Sequence, residues 1–487
     1  MTYNIVIDNG SYEVKVGAAG QDFPDHIPNC CIRSSDKNVI LGSQLEDLND
    51  YSGIHIRRPI EKNQLTQWYL EKQIWDNHFI SRPDSSGDPN DYLFDNNLIY
   101  MESPASLNKF STFSDQVIFE EYGVRNYYRC FGSSLIPWLD MDSTVETKMD
   151  GAPSETAGED LKANIGNSGN LQVSDTQHAF KDFQLVIDSG FDSTWVVPMI
   201  YGLPFYEGIR RMPIAGRVLT SYLREMISFR HYNVTDETIL VNNLKERACY
   251  VSTDYDLSLK KVEKLRQNPR LLFSIDKLKA NNLNNIVVDY ILPDYKNSKT
   301  GYVVDPNSNS SNFKKNTNDD LSDDEFDDPS ERQVLRLFDE RFAIPELLFH
   351  PELAGLHKSG LVRTIQDCLS NVPELLRPLL LANIVVVGGS SNLPGFKERL
   401  IKDLRELSPL GHEVKIGNYS NSSNKGENHD FFTKKYGSKS QDYSWYGGVA
   451  MFEKDGFNKV SISKQEYFEN GVDYCRQKFQ YKYKSNA

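Results

Sequence analysis

Residues 4–16 read Asn-Ile-Val-Ile-Asp-Asn-Gly-Ser-Tyr-Glu-Val-Lys-Val, and residues 185–197 read Leu-Val-Ile-Asp-Ser-Gly-Phe-Asp-Ser-Thr-Trp-Val-Val. Each is an aliphatic strand that ends on Asp, breaks at Gly and resumes as an apolar strand. In the first copy Asn9-Gly10 predicts a tight hairpin with a primed turn, because both residues tolerate the positive φ that such a turn requires. Two hairpins of this kind facing one another across a cleft would offer backbone N–H groups to phosphate oxygens. Their carboxylates, Asp8 and Asp188, would serve a hydrated divalent cation, with Lys15 as a point charge on a phosphate. Taken singly, an Asn-Gly or Asp-Ser-Gly turn is ordinary loop chemistry.

A third stretch, VVVGGSSNLPGF at 385–396, runs from a buried strand through Gly388-Gly389 into a helix start. Glycines there let the backbone approach a ligand closely, and a helix N-terminus favours an anionic or polar group. The helix is predicted with Pro394 in its first turn, followed by Phe396, Leu400, Ile401 and Leu404 at helical spacing. Apolar strands alternating with helical stretches make the chain α/β.

The 487 residues exceed one ordinary domain, and 39% hydrophobic content with 11% aromatics suffices for a large core, so two domain-sized lobes are expected. No apolar run approaches the roughly 20 residues of a spanning helix, and the N-terminus enters strand-like text directly. A soluble intracellular protein without a membrane partner follows. The six cysteines form no CxxC pair and have no nearby His at ligand spacing, so neither a zinc site nor a disulfide frame is predicted. A net charge of −14 argues against broad nonspecific nucleic-acid binding.

Three stretches, about 140–181, 307–331 and 418–441, are polar and poor in aliphatics and read as surface insertions. The middle one carries the acidic run DDLSDDEFDDPSE at 319–331, whose ordinary reading is a solvated loop. Lys260, Lys261, Lys264, Arg266 and Arg270, and at the tail Lys478, Lys482 and Lys484, are candidate phosphate contacts or simply solvated faces. The insertions divide the chain into a first lobe (1–140 and 442–487, with a small subdomain at about 34–58) and a second lobe (182–441).

DNGSYEVKVG resembles the first phosphate loop of the actin, heat-shock ATPase and sugar-kinase superfamily, VIDSGFDST its second, and VVVGGSSNLPGF its adenosine loop. The likeness to actin extends to RRPIEKNQLTQW, AGRVLTSYL, LKERACYVS, RFAIPELLFHP, WYGG and QEY. The resemblance therefore implies the actin-like ATPase fold, two duplicated ribonuclease-H-like lobes around a nucleotide cleft. DNGSY with its Tyr, FEEYGV, VVDYILPDYKNSKTGY and NLPGF are similar to a nuclear branch of the actin-related proteins, subunits of Swr-type chromatin-remodelling complexes. Carried over position by position, the resemblance assigns Asp8, Gly10, Ser11 and Lys15 to the first phosphate loop and Asp188 and Gly190 to the second. Gly216, Lys245, Glu246, Gly389 and Ser390 fall around the nucleoside. The implied cofactor is ATP with Mg²⁺ as a structural ligand.

The departures argue against an enzyme. Tyr12 stands where actin has glycine, Phe191 replaces an acidic residue, and Trp195 replaces a histidine near the attacking water. FEEYGVRNYYRCFGSSL at 119–135 aligns with the actin helix bearing the water-positioning glutamine, and Gly132 takes that place. Phosphoryl transfer depends on positioning the nucleophile, so that loss weighs most. The stretch from Pro28 to Arg58 is shorter than actin's polymerisation loop, so no self-polymerisation is expected. The implied partners are a Swr-type motor, a zinc-finger HIT-domain subunit and the nucleosome, in the nucleus with a cytoplasmic pool. The alternative readings are a slow actin-type ATPase and a cytoskeletal actin-related protein.

Overall fold

The computed structural model describes residues 2–33, 39–48, 51, 54–82, 87–88, 90–139, 182–269, 283, 285–295, 299–304, 333–417, 436 and 439–479. Most of the three polar stretches, Arg270, Lys482 and Lys484 lie outside them.

β1 (Asn4–Asn9) and β2 (Glu13–Ala18) form the first antiparallel hairpin, with Asp8 opposite Lys15, and β3 (Asp25–Pro28) adds along β2. A small sheet of β4 (Cys31–Arg33), β5 (Val39–Leu41) and β6 (His55–Arg57) follows, then a short hairpin of β7 (Ile60–Glu61) and β8 (Gln64–Leu65). Helix Trp68–Ser81 leads to β9 (Asn97–Glu102), which lies parallel to β1, and β10 (Asn126–Phe131) lies parallel to β9.

The pattern then repeats. β11 (Phe183–Ser189) and β12 (Thr194–Ile200) form the second hairpin, with Asp188 opposite Trp195. Short strands β13 (Leu203–Pro204) and β14 (Arg210–Met212) pair with β12. Helices Gly216–Arg230, Thr238–Ala248 and Tyr255–Gln267 precede a small sheet of β15 (Val288–Ile291), β16 (Tyr302–Val304) and β17 (Val334–Leu337). β18 (Ile384–Val387) then lies parallel to β11, as β9 does to β1. In each half an antiparallel hairpin is extended by a parallel strand, which is the duplicated α/β architecture.

The chain returns to the first half through helix Tyr443–Glu453 and β19 (Ile462–Ser463), the latter pairing with β10. One apolar core fills the first half around Ile5, Ile7, Trp75 and Tyr127, and another fills the second around Leu185, Leu223, Ile365 and Phe396. A third joins them: Val6 and Ile99 from one sheet meet Val186 and Val385 from the other, sealed by Trp445 and Tyr446. Side chains alternate across each strand, so each sheet gives one face to its own core and the other to the shared one.

Three local expectations are corrected. The turn after β1 is not primed: positive φ among the described residues falls elsewhere, and four residues, Gly10–Glu13, form a wider connection between the last pair Asn9–Val14. Residues 119–135 are not one helix: a π-helical turn, Val117–Glu121, gives way to strand β10, and only Gly132–Trp138 coils again, as a 3₁₀ helix. Tyr127, Tyr128, Cys130 and Phe131 favour a pleated, half-buried surface, and parallel pairing with β9 decides the outcome. The helix after β18 starts at Phe396, one residue beyond Gly395, whose φ of +82° makes it the N-cap and leaves Pro394 outside the first turn.

No helix among the described residues is long and apolar enough to cross a membrane. All six cysteines are free and buried. On the basic segment Lys260 is exposed, whereas Arg266 is bound to Asp339 at 2.8 Å; at the tail, Lys478 donates to the Ser461 carbonyl at 2.7 Å.

Candidate functional site: an interlobe cleft

A cavity of about 420 Å³ opens where the two hairpin loops face each other, and every residue assigned to a site from sequence lines it. Asp8, Gly10, Ser11 and Lys15 come from the first hairpin, and Asp188 and Gly190 from the second. Gly216, Lys245, Glu246, Gly389 and Ser390 close the far wall.

Lys15 is buried, with Nζ 2.9 Å from Asp8 Oδ2. Burial, the largest single influence, would lower its pKa, but the Asp8 and Glu13 carboxylates together outweigh it and hold the ammonium charged. Asp188 is raised to about 6, first by burial and then by the charge of Asp8, with Lys15 opposing. The two carboxylates are thus electrically coupled, and Lys15 is the cation between them.

On the far wall Lys245 is lowered to about 8 by burial. Its Nζ donates only to neutral oxygens: Asn242 Oδ1 at 2.8 Å, Thr220 Oγ1 at 3.0 Å and the Gly216 carbonyl at 3.3 Å. Asn242 Nδ2 donates to Glu246 Oε1 at 2.8 Å and to Tyr12 Oη at 2.9 Å, tying this wall to the first loop. The Gly216 and Arg217 amides donate to the carbonyls of Gly190 and Phe191, so the start of helix Gly216–Arg230 is spent on holding the second loop. Ser390 Oγ donates to the Gly190 carbonyl at 2.8 Å.

Glycine is required where the backbone leaves no space. Gly388 has φ +92°, and a Cβ there would run into the Ser189 carbonyl. At Gly132 a Cβ would lie 2.7 Å from Ser444 Oγ, so the place expected to carry a water-positioning side chain is taken by Ser444.

Several residues of the site were not read from sequence. Gln441 Nε2 donates to Glu13 Oε1 at 3.1 Å, and His26 sits between Glu13 (3.3 Å) and Asp442 (3.4 Å), which raise it to about 9. Gln441 and the buried Ser440, which the sequence reads as the end of the third insertion, are part of the cleft wall and its support. Behind the first loop, Asn29 Nδ2 donates to the Gly10 carbonyl at 2.9 Å and to Glu71 Oε1 at 3.2 Å. Glu71 is fully buried and raised to about 8 by burial, against hydrogen bonds from Asn29, Asn9 and Trp75. Glu71 Oε2 has no hydrogen-bond partner among the described residues, and burial favours the protonated carboxyl. Nothing in the local text around Glu71 or Asn29 signals this, because the contacts join distant segments.

A hairpin duplicated in two lobes, each ending in a carboxylate at a shared cleft, defines the superfamily of two-lobed nucleotide-cleft proteins. Within it the chain belongs to the actin family, whose profile, described as Actin, matches residues 2–480. It is similar to the Actin-like protein ARP6 of Kluyveromyces lactis, at 36% identity over 97% of this chain and 96% of that one. It is also similar to the Actin-like protein ARP6 of Candida albicans (34%, 98% of each chain) and the Actin-related protein 6 of Neurospora crassa (32%, 98% and 94%).

The fold of this family typically holds a nucleotide with a divalent cation. Gly190 and Gly389 line the cavity where a Cβ would meet nothing nearer than 3.5 Å, and with Lys15 and the carboxylates of Asp8 and Asp188 beside them the space fits such a group. Asp8 and Asp188 are the carboxylates placed for a hydrated cation, and Lys15 for a phosphate. Among the described residues no group of three or more His, Cys, Asp or Glu side chains could grip a metal directly.

Proposed function

We propose that this actin-related protein is a non-catalytic subunit of a Swr-type ATP-dependent chromatin-remodelling complex that exchanges a core histone for its Z variant. The observation that carries the non-catalytic part is that the water-positioning place holds Gly132, with Ser444 Oγ 2.7 Å from where its Cβ would stand. Phe191 in the second loop removes a carboxylate from the cation's surroundings. A nucleotide with Mg²⁺ then acts as a structural ligand, stabilising the fold by binding without being turned over.

The assignment to a Swr-type complex rests on the resemblance of DNGSY, FEEYGV and VVDYILPDYKNSKTGY to that nuclear branch, supported by similarity to relatives named ARP6. Its partners are the Swr-type motor, a zinc-finger HIT-domain subunit and nucleosomal histones and DNA, with residence in the nucleus and a cytoplasmic pool. Against self-polymerisation, the short stretch between Pro28 and Arg58 is folded into the β5-β4-β6 sheet, whose core packs on Ile239 of the second lobe.

Tagged full-length chain recovered from nuclear extract is expected to bring down the Swr-type motor, and its loss to reduce variant-histone deposition. Sedimentation alone, or recovery chiefly with cortical filaments, overturns the assignment in favour of the cytoskeletal reading. Phosphate release at an actin-like rate, abolished by Asp8→Ala, overturns the non-catalytic part.

A further inference from the structure

At the mouth of the cleft, side chains of the two hairpin loops meet. The Tyr12 ring, from the first hairpin loop, lies 5.0 Å from the Phe191 ring of the second, tilted by 48°. The Arg58 guanidinium carbon stands 4.9 Å from each ring centroid, so one cation serves aromatic faces from both lobes. Arg58 is held there by the first lobe, its Nη1 donating to the carbonyls of Tyr12 (2.8 Å), Asn29 (3.1 Å) and Ser11 (3.2 Å).

Further contacts reinforce this crossing. Asn242 donates to Tyr12 Oη at 2.9 Å. Arg217 lies 5.2 Å from the Phe191 centroid and pairs with Asp192 at 2.7 Å, while Asp192 accepts from the Asn63 amide at 3.1 Å. Lys62 and Asn63 carry φ of +50° and +64°, the primed turn that aims the β7–β8 hairpin at the second loop. Farther out Ile239 packs against Cys30, Ile32 and Leu45, and the Tyr51 and Tyr295 rings lie 6.4 Å apart.

In a hinged two-lobed protein, a ligand favours closure only by its differential affinity for the closed form. When side chains already bridge the gap, closure needs no ligand. We infer that Tyr12, Phe191 and Arg58 form a latch that holds the lobes closed independently of nucleotide, making the closed cleft a fixed shape rather than a response to occupancy. The latch is a property of the folded chain, separate from its place in any complex. It also explains why two aromatic side chains sit in loops of the kind that otherwise serve phosphates. Their rings bind each other and Arg58 across the mouth, and a nucleotide enters or leaves only when that contact parts.

The test is a distance between lobes. All six native cysteines are buried, so spin labels can be placed on the full chain at exposed Val39→Cys and Asp236→Cys. Pulsed dipolar spectroscopy is expected to give one narrow distribution without ligand, unchanged by saturating ATP with Mg²⁺. Combining Tyr12→Gly with Phe191→Ala is expected to lengthen and broaden it without ligand, while Tyr12→Phe, which keeps the ring, leaves it narrow. Should the double variant fail to fold, Arg58→Met gives the same reading and is expected to broaden the distribution. A ligand-free distribution already broad in the parent chain and narrowed only by ATP overturns the latch, as does a narrow one after removal of both rings or of Arg58. Since no partner protein is present, failure here leaves the assignment to a remodelling complex untouched.

Discussion

A Cβ placed on Gly132 would lie 2.7 Å from Ser444 Oγ and 3.0 Å from Ser444 Cβ. Gly132 opens the 3₁₀ helix after β10 and Ser444 lies in the first turn of helix Tyr443–Glu453, so the contact closes the floor of the cleft between segments more than three hundred residues apart. Gly132→Gln is therefore expected to create no ATP turnover and to destabilise the fold by about 1–3 kcal/mol, as overpacking does. Denaturant titration checks the cost, and Gly132→Ala with Ser444→Gly should recover most of the loss that Gly132→Ala causes alone.

The second prediction concerns Glu71. Its folded pKa of about 8 lies above the unfolded carboxylate value, so the unfolded chain releases this proton first. The sign is therefore inverted from that of a salt-bridged acid: this group costs nothing at low pH, and the cost grows as pH rises, levelling above the folded pKa. Glu71→Gln, which cannot ionise, removes the cost. Its stability advantage over the parent chain should widen between pH 5.5 and 7.5 by about 2–3 kcal/mol. Paired urea titrations at the two pH values read this directly, and a constant difference contradicts it.

Lys15 is a buried cation paired with the partly buried Asp8 and facing the charge of the partly buried Asp188, and removing it strands both. Lys15→Met is expected to destabilise by about 3–5 kcal/mol, the usual cost of breaking a buried pair from one side. Adding Asp8→Asn should restore part of that loss, because the charge left without its partner is removed. A double-mutant cycle by thermal or chemical denaturation measures the coupling.

Gly388→Ala places a methyl group against the Ser189 carbonyl in a backbone region that L residues avoid. A loss of about 1–3 kcal/mol or more is expected from strain alone. Because β18 pairs with β11 immediately before this point, hydrogen exchange should also quicken at Val385–Val387. An unchanged melting temperature contradicts the geometry.

The architecture was legible where local text carries it. Two hairpins and a strand running into paired glycines repeat the same apolar periodicity, and that repetition placed Asp8, Asp188 and Gly389 at one cleft. The failures arise where partners lie far apart. Tyr12 stood out in the sequence as an obstacle, but its hydrogen bond to Asn242 spans 230 residues. Arg58 reads as one more basic residue in a turn until two rings are brought over it. Residues 119–135 read as a helix for the same reason: parallel pairing with β9, invisible in the local pattern, makes Asn126–Phe131 a strand. Ser440 and Gln441 were lost because their polar neighbours looked like insertion.

The return of the chain to the first lobe has a consequence for how the molecule is made. Val6 on β1 is covered by helix Tyr443–Glu453, and β10 gains its outer neighbour only with Ile462 and Ser463. A ribosome makes β1 long before either. The second lobe carries its own core within residues 183–416 and can collapse while synthesis continues. The first hairpin must wait with one apolar face bare, and at about 5–20 residues per second that wait is on the order of tens of seconds. The first lobe is in that sense assembled last around the oldest part of the chain, and it is the lobe on which a chaperone that shelters unpaired strands would act.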